Sequence, residues 1–182
     1  MLLVLDLETD GLDPQQNIIL EVGAILLDQN DDARTSWQFL CPHRGLDHVD
    51  PVVVGMHTKN GLWRDCMQHG RDPEEVDALL ATGLRSYGAA DRQVVLVGYS
   101  IHFDLSFMHA QMPETARLLS HRIRDIGAMA RTLRDWGVDF PELPEMPHRG
   151  LEDARIEHRG YLAIKHWVRS LNISGLARQV GV

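Results

Sequence analysis

Apolar and polar positions along the chain already sort it into elements. Leu2–Asp6 is a short continuous apolar run ending in an acid, as expected of a buried strand. Thr9-Asp10-Gly11-Leu12-Asp13-Pro14 is dense in turn formers. Ile18–Leu27, rich in Ile, Leu and Val, reads as a second strand closed by the polar turn Asp28–Asp32, and Ser36–Cys41 reads as a third. Three strands joined by short turns predict an antiparallel meander. Residues 42–58, with Pro42, Gly45, Pro51 and Gly55, read as irregular.

The pattern then turns helical. Asp72-Pro73-Glu74-Glu75 is a helix start, with Asp as cap, Pro at the first position and Glu75 three residues after the cap. Val76, Leu79, Leu80 and Leu84 follow at helical spacing until Gly88. Val94–Val97 is a second strongly buried strand, ending at Gly98-Tyr99-Ser100. Asp104–Gln111 reads as a helix stopping before Pro113, and Ile126–Trp136 as an amphipathic one with Ala128, Met129, Leu133 and Trp136 on one side. After a loop holding Pro141, Pro144 and Pro147, residues 151–171 make a long final helix. The order is βββ, α, β, α, then two helices, with room for a short strand before them.

Composition narrows the class. A chain of 182 residues and 20.6 kDa suits one domain, here 1–171, followed by a C-terminal tail, 172–182. Within that tail, Leu176–Val182 looks like the first half of a helix-turn-helix, and a surface tail is the expectation. Cys41 and Cys66 have no paired spacing, so a reducing, cytoplasmic setting is expected. No basic leader precedes Leu2–Leu5, and no apolar stretch is long enough for a membrane span. The net charge of −8, from 26 acids against 18 bases, excludes holding long nucleic acid by bulk electrostatics. A polyanionic ligand must be short, or held by cations and a small basic rim such as Arg122, Arg124 and Arg149.

Most acids of such a chain are solvated surface charge, yet four stand apart. Asp6 and Glu8 end the first buried strand, and alternation puts both on one face. Side by side there, they repel unless a cation or a proton is shared. Asp104 lies where a helix begins, a position that also suits a cap. Asp153 lies near the start of the final helix, five residues after His148; Glu152 is an alternative ligand beside it, and either acid also favours a helix N-terminus. Converging carboxylates suit hard cations such as Mg²⁺ or Mn²⁺. Two such ions, about 4 Å apart, stabilise both oxygens of an in-line phosphoryl displacement. His148 then reads as the base that takes a proton from the attacking water.

Three segments carry a family likeness. Asp6-Leu7-Glu8-Thr9-Asp10-Gly11-Leu12, Gly98-Tyr99-Ser100-Ile101-His102-Phe103-Asp104 and His148-Arg149-Gly150-Leu151-Glu152-Asp153 resemble, in order, the three motifs of the DEDD exonuclease superfamily, DnaQ-like, in its DEDDh branch. Within it the chain looks closest to the oligoribonucleases, through Met56-His57-Thr58-Lys59-Asn60-Gly61-Leu62, Met112-Pro113-Glu114 and Asp125. The resemblance implies an α/β, ribonuclease H-like fold, with a mixed five-stranded sheet whose first three strands are antiparallel, flanked by helices. It implies metal-dependent 3′–5′ exonuclease activity releasing nucleoside 5′-monophosphates. Asp6, Glu8, Asp104 and Asp153 would hold two Mg²⁺ or Mn²⁺ ions, with His148 as general base. Leu12 would wedge against the terminal bases, and Thr9, Gly11, His57, Ser100, Phe103 and Arg122 would lie by the substrate.

The chain departs from the oligoribonucleases in two places. Val52 stands where they carry an aromatic residue, and His121-Arg122-Ile123 stands where they carry Tyr-Arg-Tyr, reached across a homodimer to cap very short RNA. Lost stacking is worth about 1–3 kcal/mol per base, which weakens both dinucleotide specialisation and the homodimer as expectations. The expected substrate is the 3′ end of short single-stranded RNA or DNA. The alternatives are a proofreading-type exodeoxyribonuclease and a non-catalytic binding module. Asp6-Leu7-Glu8-Thr9 also has a faint likeness to haloacid-dehalogenase-like phosphatases, but their downstream lysine has only Lys59 and Lys165 to draw on, neither suitably placed.

Overall fold

Strand β1, Leu2–Thr9, is apolar on both faces because a core lies on each side of it. Leu3, Leu5 and Leu7 point into one core, while Val4 points into the other. The side-chain period of two therefore puts Asp6 and Glu8 in the row of Val4. β2, Ile19–Leu27, and β3, Ala33–Leu40, continue as the antiparallel meander read from the sequence, with β3 starting three residues earlier than Ser36. β4, Val94–Gly98, lies parallel to β1 on its other side, and β5, Leu119–Asp125, lies parallel to β4. The sheet order is β3-β2-β1-β4-β5, the mixed five-stranded arrangement expected. This computed structural model describes residues 1–46, 49–139 and 145–171; the tail 172–182 and residues 140–144 of the Pro-rich loop lie outside them.

Helices cover both faces. α3, Pro73–Ser86, starts as predicted, with the Asp72 carboxylate accepting from the Glu74 amide. Glu75 does not close a capping box; it pairs with Arg71 at 2.7 Å. Val76, Leu80 and Leu84 face the first core with Phe107 and Met108 of α4, His102–Gln111, whereas Leu79 faces out. The second core lies under α6, Ile126–Asp135, and α7, Gly150–Ser170.

Two expectations are corrected, for residues 42–58 and for the buried face of α6, and two short helices, α2 and α5, are added. Residues 42–58 are not wholly irregular: α1, Pro51–Lys59, begins there, capped by Asp50, whose carboxylate accepts from the Val52 amide at 2.7 Å. The Val52–Val54 run and Gly55 are weak helix formers, and they masked the same Asp-Pro start recognised at Asp72. α2, Leu62–His69, was not foreseen; Leu62, Trp63 and Cys66 bury against Leu20 in a third cluster. α5, Pro113–Leu118, is a single short helix whose first amides, Glu114 and Thr115, both donate to the buried Asp77 carboxylate at 2.8 Å. In α6 the buried residues are Ile126, Gly127 and Ala130, with Leu133 half-buried, while Ala128, Met129 and Trp136 are exposed. The cap by Asp125 fixes that phase, turning the predicted face outward.

One contact fixes where α7 meets the sheet. A Cβ on Gly23 of β2 would lie 2.0 Å from the Gly150 carbonyl carbon, and one on Gly150 would lie 2.9 Å from the Gly23 nitrogen. Backbone touches backbone, so neither position accepts a side chain. Gly23→Ala is expected to lower unfolding free energy by about 3 kcal/mol through overpacking, read from urea denaturation; an unchanged midpoint would show that α7 can shift.

Candidate active site

The end of β1, the start of α4 and the start of α7 bring the predicted acids together. Asp6 and Glu8 project from the last turns of β1 beneath α7. Asp104, in the first turn of α4, is buried and accepts from the Leu7 amide at 2.9 Å, which ties α4 to β1 rather than capping its own helix. Asp153 is buried while Glu152 is exposed, so Asp153 is the inward-facing acid of that pair. Its carboxylate accepts from the Arg149 amide at 3.2 Å. His148 is exposed at the cleft rim, and Glu8, His148 and Asp153 can each present a ligand atom within 4.8 Å of the others.

A cleft of about 330 Å³ opens over these groups, walled by Asp6, Glu8, His148, Asp153 and Glu157. Asp104 stands behind this wall, where its charge still acts on Asp6, Glu8 and Glu157. Burial, with neighbouring carboxylates, raises every one of these acids. Glu8 is pushed to about 9, Asp104 to about 7 against the pull of its Leu7 hydrogen bond, and Asp153 to about 6. Asp6 and Glu157 are both held well above the usual carboxylate range by burial. Of the charges around Asp6, Glu157 raises it most.

The residues expected to meet substrate divide. Thr9, Gly11, Leu12 and Phe103 line the cleft with Val53 and Met56 of α1, and Leu12 is 82% exposed. Ser100 forms the β4–α4 turn with a left-handed φ of 50° and does not line the cleft. His57 is fully buried beneath it, with Nε2 3.2 Å from the Thr9 carbonyl oxygen and 3.7 Å from Glu8; burial lowers its pKa and favours the neutral ring. Arg122 is exposed on β5 outside the cleft walls. The expected basic rim is also absent: Arg149 turns inward, and Arg124 donates to Tyr161 on the opposite end of the sheet.

Sequence reading missed the groups that hold the site in place. Glu21 is fully buried in β2 and accepts from the Gly150 amide at 3.0 Å and from Arg149 at 3.1 Å, while Arg149 also bridges Asp65 of α2 at 2.9 Å. Asn60, at the end of α1, donates to the His148 carbonyl oxygen at 2.5 Å and to that of Pro147 at 3.2 Å. That clamp supports His148 at a φ of 55°, left-handed backbone that a non-glycine residue rarely adopts. Glu157 lies one helical turn past Asp153 on the same face, and that four-residue spacing was its only signal.

A profile of the Exonuclease (RNase_T) family matches residues 3–159. The chain belongs to the exonuclease family. This exonuclease domain is 26% identical over 153 residues to the probable oligoribonuclease of Schizosaccharomyces pombe, covering 82% of the chain and 61% of that relative. It is 28% identical over 155 residues to the oligoribonuclease of Corynebacterium diphtheriae, covering 82% and 74%. Escherichia coli exonuclease I in complex with a 5cy-dT13 oligonucleotide shares its fold, with a TM-score of 0.64 at 18% identity over 91% of this chain and 40% of that one. The domain thus spans less than two thirds of the fission-yeast relative and under half of exonuclease I.

The exonuclease family is divalent-metal dependent, and the donor set here fits such a cation. Asp6 Oδ2, Asp153 Oδ1 and Glu157 Oε2 are buried with no hydrogen-bond partner among the described residues. Hard oxygens left without donors are what a hard cation satisfies. The raised acids set a pH dependence. Between the ordinary carboxylate value near 4 and about 6, 7 and 9 for Asp153, Asp104 and Glu8, the folded state retains protons that the unfolded state has released. Stability from these groups is therefore full at low pH and is lost as pH rises through that window. In chelator, the melting temperature is expected to fall from pH 5 to pH 9, and saturating Mn²⁺ to flatten the slope; a chelated protein most stable at pH 9 would contradict the burial of these acids.

Proposed function

We propose that the domain is a 3′–5′ exonuclease that hydrolyses short single-stranded oligonucleotides to nucleoside 5′-monophosphates. The observation that carries this reading is the convergence of Asp6, Glu8, Asp153 and His148 on one cleft with buried carboxylate oxygens left without donors. The names of its relatives, oligoribonucleases, support the short substrate.

Asp6, Glu8, Asp104 and Asp153 would hold Mg²⁺ or Mn²⁺, which supplies Lewis-acid stabilisation to the attacking and leaving oxygens. His148 accepts the proton of the attacking water as the new P–O bond forms and the P–O3′ bond breaks. The products are a nucleoside 5′-monophosphate and a strand one residue shorter whose 3′ oxygen takes up a proton. Leu12 and Phe103 contact the terminal bases through dispersion and hydrophobic burial, with Val53 and Met56 forming the facing wall. Thr9 and Gly11 bring backbone close to the sugar. His57 acts from below by holding the Thr9 carbonyl in place. Arg122 has no part in gripping substrate on its own protomer, given its place outside the cleft. A second reading, exonuclease action on single-stranded DNA, has the oligodeoxynucleotide complexes of its structural neighbour in its favour.

The test uses 5′-labelled RNA and DNA strands of two and of twenty nucleotides with Mg²⁺ or Mn²⁺. Shortening from the 3′ end is expected, fastest on the short RNA; a preference for the long DNA selects the second reading. Asp6→Ala and Asp153→Ala are expected to abolish turnover, and His148→Ala to slow it by about 10²–10⁴-fold with metal binding retained. Turnover by Asp6→Ala at the parent rate would refute the assignment.

A further inference from the structure

Four carboxylates line this cleft, with Asp104 behind it, and one of the four, Glu157, lies outside the family motif. Glu157 is 1% exposed and lines the cleft wall directly. Its two oxygens have different surroundings. Oε1 accepts from the Tyr99 amide at 2.8 Å, which secures the turn after β4. Oε2 is buried and has no hydrogen-bond partner among the described residues. It sits against the end of β4, where a Cβ on Gly98 would approach it at 3.2 Å and the Leu5 carbonyl oxygen at 2.9 Å.

The Tyr99 bond alone does not call for a charge at this position. A glutamine of the same length would accept that hydrogen bond and would avoid burying an ionised oxygen, which costs several kcal/mol when uncompensated. Placed beside Asp6, Asp104 and Asp153, a further anion only adds repulsion unless a proton or a cation neutralises it, and the cation is what a divalent-metal-dependent site supplies. Glu157 also faces the cleft, whereas Asp104 stands behind it with one oxygen held by the Leu7 amide.

We propose that Glu157 is a fifth acidic ligand of the metal centre, its Oε2 serving the cation held beside Asp6, directly or through one water. The proposal rests on the reading of the cleft as a cation-dependent exonuclease site. Within that reading, Tyr99 fixes the carboxylate so that the free oxygen is presented without loss of side-chain freedom on binding. The donor set beside Asp6 is then richer in charge than the four motif acids provide, and cation affinity is correspondingly higher.

The experiment is a Mn²⁺ titration of the full chain, followed by electron paramagnetic resonance of free Mn²⁺, on the parent and on Glu157→Gln. The variant keeps the Tyr99 acceptor and removes the charge. It is expected to bind at least one Mn²⁺ about tenfold more weakly or to lose it from the count, while melting in chelator at or above the parent temperature. Activity lost at low Mn²⁺ should return at high Mn²⁺. Parent stoichiometry and affinity in Glu157→Gln would overturn the proposal and leave the exonuclease reading standing, provided the parent cleaves. A variant that melts well below the parent in chelator would also overturn it, because the charge would then be structural. A parent that binds no Mn²⁺ would remove the proposal and the reading beneath it together.

Discussion

The backbone contact between Gly23 and Gly150 sets where α7 begins, and the geometry of the cleft depends on that placement. With no side chain between them, helix and sheet approach as closely as two main chains can, and Asp153 arrives within reach of Glu8. Glu21 locks the approach from below by accepting from the Gly150 amide and from Arg149. Leaving one partner of such a buried pair uncompensated costs about 3–5 kcal/mol. Arg149 extends the same lock to Asp65 of α2, so the third small core, around Leu62 and Trp63, is joined to the helix that carries the acid.

That rigid frame is what allows charges of one sign to be held together. Left to relax, the carboxylates would turn toward water. Here three of them are fixed by a main-chain donor: Leu7 for Asp104, Arg149 for Asp153, Tyr99 for Glu157. In Asp153 and Glu157 one oxygen orients the group and the other has no hydrogen-bond partner among the described residues. The domain is thus built around a local instability that a hard cation relieves, a common arrangement where function and stability make opposite demands.

Much of this was legible in the sequence. β1 and β4 announced themselves as unbroken apolar runs because both faces of the sheet are covered, and alternation placed Asp6 and Glu8 on one side without reference to any fold. Asp153 and His148 were recognisable only as members of a spaced set. What stayed hidden has a physical explanation in each case. α1 was concealed by three valines and a glycine, weak helix formers started here by the Asp50 cap, with only Val53 and Val54 packed half-buried on the third cluster. The outward turn of Met129 and Trp136 reflects a phase set by Asp125, and short-range periodicity cannot tell which of two apolar stripes will face the core. Glu21 gave no signal within its strand, because the arginine that satisfies it lies 128 residues away.

The junction of α1 and α2 touches two different parts of the chemistry. Val53 and Met56 of α1 form the wall against which a nucleobase would lie, and Asn60, one turn further on, grips the peptide carbonyl of His148. In the proposed function, the recognition surface and the proton acceptor would therefore belong to one mechanical unit. On that proposal, a base that seated poorly against the wall would displace the same helix that holds the His148 backbone, so a mismatched substrate would be penalised in its rate of conversion as well as in its grip.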